Sequence, residues 1–279
     1  RRTRGISSYR RLALAMLSCW PMAFLFLSLL MQASLSYQLL QVEDSRTEYP
    51  SALLEALSHS DRSIQRQVVR ALGRFERAEF AAEIRPLLSS PYSELRSEAV
   101  NALGQMGVSD DFSALLETER DPNVRATLYR TIGRVAGTDE ASLAAGLSER
   151  PMEVRIAAAH GLGAFLRGQG RNVDASDETL VALRRAARDE TDAVLRRLAF
   201  AALNSAGDSD VNTLESGLTD PDAQVRRLAV IASGEWIEDD PSYIVRYATF
   251  RRAATCDRAR ASLEDESEHV VLLAIDQLA

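Results

Sequence analysis

The sequence predicts an all-α protein: a solenoid of about seven to eight two-helix repeats behind an N-terminal signal or anchor helix. Three observations carry this reading. Ala (41) and Leu (37) make up more than a quarter of the 279 residues, while aromatics account for only 6%. Both residues are strong helix formers, and so low an aromatic content suits helix-on-helix packing. One residue pattern recurs along the chain, and within each copy the apolar residues stand four apart, the spacing of a helix stripe.

The first 36 residues form a segment of their own. Arg1, Arg2, Arg4, Arg10 and Arg11 precede an apolar run from Leu12 to Leu30, followed by the small residues Ser34-Leu35-Ser36. Basic, apolar, small-residue order is the layout of an export signal. The run is also close to the ~20 residues that span a bilayer, so an uncleaved anchor is the rival reading. Either way the leading arginines hold the N-terminus inside and place the body outside. A buried core helix fits these flanks poorly. The Arg10-Arg11 pair lacks a following aromatic, and the apolar run continues past Cys19, which argues against twin-arginine and lipoprotein signals. Residues 37–50 read as a linker and 51–279 as the solenoid.

In that body an acidic or Pro-containing turn leads to an aliphatic residue, then Arg, small residues and Leu-Gly. Asp121-Pro-Asn-Val124-Arg125, Pro151-Met-Glu-Val154-Arg155 and Asp220-Pro-Asp-Ala-Gln-Val225-Arg226 are the clearest instances. With the aliphatic residue as marker, copies start at Ile64, Leu95, Val124, Val154, Leu195, Val225, Val245 and Val270, with spacings of 31, 29, 30, 41, 30, 20 and 25. Positions four and eight beyond each marker complete one stripe, as in Val154, Ala158 and Leu162. Gly73, Gly104, Gly133, Gly163 and Gly234, nine beyond a marker, are expected to end their helices in the left-handed conformation. Second helices are expected over Phe80–Leu88, Phe112–Leu116, Ser142–Leu147 and Leu180–Ala187. Units of this kind stack only on their neighbours, forming an α-solenoid with one continuous core.

The period breaks twice. Gly168 to Glu178 reads as a surface loop inserted between units. The 20-residue step from Val225 to Val245 leaves Glu235 to Asp240 in place of a first helix, with Trp236 either a packing plug or a binding residue.

The D-P-x-V-R pattern with its spaced alanines and terminal Leu-Gly resembles HEAT repeats of the short PBS-lyase-like class, over roughly residues 51–279. By that resemblance Arg125, Arg155, Arg196, Arg226 and Arg246 are ladder arginines, which bind carboxylates of adjacent turns. Gln65 and Val271 depart from the pattern. Val225-Arg-Arg-Leu-Ala-Val230, Ile244-Val-Arg-Tyr247 and the stretch Leu263 to Leu278 further resemble repeats of exported bacterial proteins that carry a C-terminal cyclophilin-type peptidyl-prolyl isomerase domain.

Chemistry is sparse in this sequence. His59, His160 and His269 are followed by Ser60, Gly161 and Val270, so the His-Glu steps of HEAT-type iron hydroxylases are missing, and no metal or cofactor is expected. Nothing selects for bilin attachment. His160 reads as a polar-face residue and Cys256 as a buried apolar thiol. No Gly-rich phosphate loop follows a strand. From residue 37 onward 28 Arg face 40 acids, a net charge of −12, which does not favour nucleic acid or anionic lipid. The expected function is a non-catalytic scaffold, exported to the periplasm or the outer face of the inner membrane, binding a protein partner or an exported client. Membrane contact is expected only through the N-terminal segment. The alternative is the substrate-handling arm of a cyclophilin-type isomerase whose catalytic domain lies beyond residue 279. The start at Arg1 and the stop at Ala279 read as a fragment, with Leu272, Leu273, Ile275 and Leu278 left against solvent.

Overall fold

The structure, a computed structural model, describes residues 35–45, 51–108, 111–135, 140–168 and 175–279. Residues 1–34 of the expected signal or anchor segment, 1–36, lie outside these. Helix α1 spans residues 35–45, so it begins at Leu35 and Ser36, the last two residues of the expected signal segment, and runs through most of the expected linker. Its apolar residues Leu35, Leu39 and Val42 lie on one helix face, and Leu39 is 1% exposed in the main core.

The chain continues as α2 (Ser51–Ala56), α3 (Arg62–Arg74), α4 (Ala81–Ile84), α5 (Ser93–Gln105), α6 (Phe112–Thr118), α7 (Pro122–Ile132), α8 (Glu140–Gly146) and α9 (Met152–Gly168). Then come α10 (Asp177–Asp189), α11 (Ala193–Ala206), α12 (Val211–Leu218), α13 (Ala223–Ser233), α14 (Tyr243–Ala253), α15 (Cys256–Ala261) and α16 (Glu268–Leu278). No strand occurs among the described residues. Helices α3, α5, α7, α9, α11, α13, α14 and α16 carry the eight markers, and each packs on the next to form one continuous row. In the second row α8, α10 and α12 touch in turn.

Marker stripes face inward. Val124, Leu128 and Ile132 are fully buried, as are Val154, Ala158 and Leu162. Asp61, Asp121, Asp192 and Asp222, three residues before their markers, cap the helix starts. Asp192 accepts from the N–H groups of Val194 and Leu195 at 2.8 and 3.0 Å, satisfying donors that have no partner within the helix.

Several expectations need correction. Phe80–Leu88 is not one helix. Two 3₁₀ turns (Ala78–Phe80 and Arg85–Ser89) flank the single-turn α4, and Pro86 supplies no N–H to continue it. Residues 169–174 of the expected loop lie outside the described residues, but Gly168 closes α9. Asp177 and Glu178 already form the first turn of α10, whose N-cap Ser176 accepts from Thr179 N–H. The core runs unbroken only from Leu39 to Ala229, followed by two small clusters around Val245 and Phe250. The first division falls within α13, between Ala229 and Val230, shortly before the segment in which Glu235 to Asp240 replace a helix. Trp236 lies there half-buried, 6.3 Å from the Phe250 ring, with the Arg258 guanidinium 4.3 Å above it.

Gly73, Gly104 and Gly163 lie inside their helices, and Gly133 is right-handed at φ −66°. Among the five marker glycines only Gly234 is left-handed, at φ +71°. Gly73, Gly104 and Gly133 serve close approach: a Cβ on Gly133 would stand 2.1 Å from the Gly161 carbonyl oxygen of the next helix, whereas one on Gly163 would meet only Arg167 of its own helix, at 3.1 Å.

Candidate protein-binding face

The Arg after each marker lies at the edge of the helix row, close to the turn that starts the next unit. Arg196 places Nε 2.7 Å from Asp220 Oδ2 and Nη2 2.9 Å from Oδ1, while Nη1 donates to the carbonyls of Glu190 and Thr191. Arg226 binds Asp240 through the same two edges at 2.7 and 2.9 Å, and Arg246 binds Asp265 at 2.7 and 2.8 Å. Arg125 pairs with Glu149, to which the Tyr129 hydroxyl also donates, and Arg155 reaches Glu190 at 3.2 Å. The Nε of Arg155 is buried without a partner.

A sixth rung, absent from the sequence-derived set, joins Arg96 to Glu119 at 2.7 and 2.9 Å. Every carboxylate stands five residues before the marker of the following repeat. That regularity was available in the sequence once the markers were aligned, and it identifies Arg96 as well. Where Gln65 replaces Arg, Ser90 replaces the acid; the ladder therefore begins at Arg96 and ends at Asp265.

These carboxylates also receive backbone donors. Glu119 Oε1 accepts from the N–H groups of Arg120 and Asp121, and Asp240 and Asp265 accept from those of Ser242 and Ser267. Burial acts to raise the Glu119 and Asp240 carboxyls, but their arginines and the backbone donors outweigh it and hold both below the ordinary range. The bond from Arg246 does the same for Asp265. Burial and the Glu149 charge push the Tyr129 phenol up to about 12. Glu119, Asp240 and Asp265 are therefore fixed charges at neutral pH.

The solvent side of the marker row forms a second feature. Arg70 pairs with Glu98, the Ser97 and Thr127 hydroxyls meet at 2.7 Å, and Arg134 reaches Asn101 at 3.1 Å, so adjacent helices share one polar strip. Towards the C-terminus the strip turns apolar and aromatic. Between α13, α14 and α16 lies a groove of about 590 Å³ lined by Arg227, Tyr243, Ile244, Tyr247, Leu272 and Asp276 among others. Tyr243 is 44% exposed and stacks on His269 at 5.4 Å, and Leu272 is 59% exposed. Ile275 and Leu278 are also exposed, whereas Leu273 is half-buried against the Phe250 cluster.

The remaining candidates are dispersed. His59 Nδ1 accepts from the Asp61 N–H at 3.0 Å, and His160 lies on the solvent side of α9. Cys256 is exposed rather than buried, because it is the first residue of α15, a helix that buries only Ala259. Among the described residues no three His, Cys, Asp or Glu side chains are grouped to hold a metal ion, and no helix is long and apolar enough to cross a membrane.

Stacked two-helix units stitched by an arginine–carboxylate ladder define an α-solenoid of the HEAT and armadillo kind. The family model for HEAT repeats matches residues 50–118 and 109–204, more than half of the chain, and the protein belongs to the HEAT-repeat family. No curated protein matches. Among solved structures, one engineered protein from the Northeast Structural Genomics Consortium is similar at 20% identity. It covers 65% of this chain and 93% of its own, with a TM-score of 0.45. A second engineered protein from the same consortium gives 16% identity, 81% and 77% coverage and a TM-score of 0.46. A designed armadillo repeat protein gives 14% identity, 81% and 97% coverage and a TM-score of 0.35. At these scores the likenesses add nothing to the fold derived from the helices themselves.

Proposed function

We propose that the protein is an exported, non-catalytic scaffold that binds protein on the solvent side of its marker helices, in the periplasm or at the outer face of the inner membrane. One observation carries the choice of face: on the solvent side where α3, α5 and α7 share a polar strip, the later marker helices α13, α14 and α16 present an aromatic groove. Grooves that present exposed Tyr and Leu beside a few charged groups are the surfaces on which protein partners anchor, and solenoids offer them as extended binding surfaces. The basic, apolar and small-residue order of the first 36 residues supports export. The isomerase-linked reading uses the same face to hold a client and differs only in the domain attached.

The test is selection of peptides against the chain, followed by substitution. Tyr247→Ala and Leu272→Ala should weaken the selected peptides about tenfold or more, as anchor truncations do. Val181→Ala and Val211→Ala, exposed on second-row helices, should not. Peptides indifferent to the first pair would refute the face. For export, residues 1–40 fused to a reporter active only outside the cytoplasm should give signal, and a reporter silent there would refute it.

A further inference from the structure

Helices α7 and α9 make their closest approach through glycine. A Cβ on Gly161 would lie 2.3 Å from the Tyr129 carbonyl oxygen, and one on Gly133 would meet Gly161 itself. The residues next to these contacts are Arg130, Arg134 and His160. All three side chains are exposed, and Arg167 is exposed on the same helix as His160. Backbone contact beneath them gathers the four groups into one patch.

Among the described residues no carboxylate pairs with the patch. Each ladder arginine pairs with a carboxylate, whereas Arg130, Arg134 and Arg167 make no ion pair among the described residues; Arg134 donates only to Asn101 and Thr131. Desolvation, then Arg130, Arg167 and Arg134, hold the His160 imidazolium below its ordinary value. Desolvation and Arg130 likewise lower Arg134. Like charges brought together without a partner cost free energy that an arriving anion would recover.

We infer that this patch on α7 and α9 binds a short acidic segment, two or three neighbouring Asp or Glu residues, of a partner protein. This rests on the reading of the solvent side as a protein-binding face. Charge complementarity selects the occupant. Two neighbouring helices lie about 8–10 Å apart, which suits a few adjacent carboxylates accepting bidentate bonds from arginine. A nucleic acid would have to extend beyond the patch across a body of net charge −12 and would be repelled there.

The experiment uses the full chain and a fluorescent hexaglutamate peptide at low ionic strength. The peptide should bind, and the exposed double variant Arg130→Gln/Arg134→Gln should weaken it about tenfold or more. Arg66→Gln, exposed on α3, should change it by less than about twofold. On addition of peptide the His160 ring protons should titrate at higher pH. Unchanged affinity in the double variant, absence of binding, or tighter binding of an oligothymidylate of equal charge would overturn the inference. If hexaglutamate fails while the groove-selected peptides still respond to Tyr247→Ala, the binding face stands and the acidic partner falls.

Discussion

A guanidinium can tie two repeats together only if both of its edges find acceptors, and Arg196 shows the cost of removing one. Its carboxylate partner Asp220 is almost fully buried, and the other edge serves backbone carbonyls. Asp220→Ala therefore leaves a buried cation with half its bonds and should destabilise by about 3–5 kcal/mol. The exposed pair Arg62–Glu94 should contribute under about 1 kcal/mol when Glu94 is replaced by Ala. Chemical denaturation of both variants measures the difference. Glu119, Asp240 and Asp265 titrate below their ordinary values of 4.5 and 3.8. Their contribution is thus present above those values and lost as pH falls through the depressed ones. The melting temperature should drop on acidification below about pH 4, and less steeply in Asp240→Asn, which has already lost one such group. The arginines of the ladder were legible in the sequence because each follows a marker. Their partners were not singled out, since an acid is unremarkable in a chain with 40 of them until the repeat register is imposed.

At the scale of the element, the stripes fixed which residues meet. Leu103 and Leu162 are completely buried, and Ala at either position should cost about 2–5 kcal/mol through lost burial and the cavity left behind. Glycine is where the sequence misled. Gly at a helix end and Gly at a helix contact look alike in one dimension, and the second role prevails at Gly73, Gly104 and Gly133, where a Cβ would meet the neighbouring helix at under 3 Å. Gly161→Ala should separate α7 from α9 and destabilise by about 1–3 kcal/mol. Gly168→Ala, whose side chain would meet nothing within 4 Å, should be neutral or slightly stabilising, by up to about 1 kcal/mol. Equal effects at the two glycines would show that helix propensity, not contact, governs both. Helix α1 was read instead as the end of the signal segment and a linker, because Leu35, Leu39 and Val42 give only a weak period beside a strongly apolar N-terminal run.

The molecule as a whole is a chain of nearest-neighbour interfaces, so its weakest interface decides where it opens. The buried core is thinnest from the junction of α13 with α14 onward. The main core ends at Ala229 on α13 and a first helix is missing before α14; Val230 of α13 with Val245 and Ala248 of α14, and Phe250 with Ala259 and Ala274, form two small clusters. Continuity across the gap rests on the packing of α13 against α14, on the Arg226–Asp240 rung and on Trp236 filling the space beside Phe250. Few buried apolar contacts mean a low free energy of local opening. Native-state hydrogen exchange should therefore show α14 to α16 exchanging through a sub-global opening well below that of α5 to α11. Asp240→Ala should widen the gap, giving residues 241–279 an earlier transition of their own, whereas Asp220→Ala weakens a rung inside the continuous core and should move the main transition. Equal protection from α5 to α16, with one transition in both variants, would mean that the small clusters bind as firmly as the core they are split from.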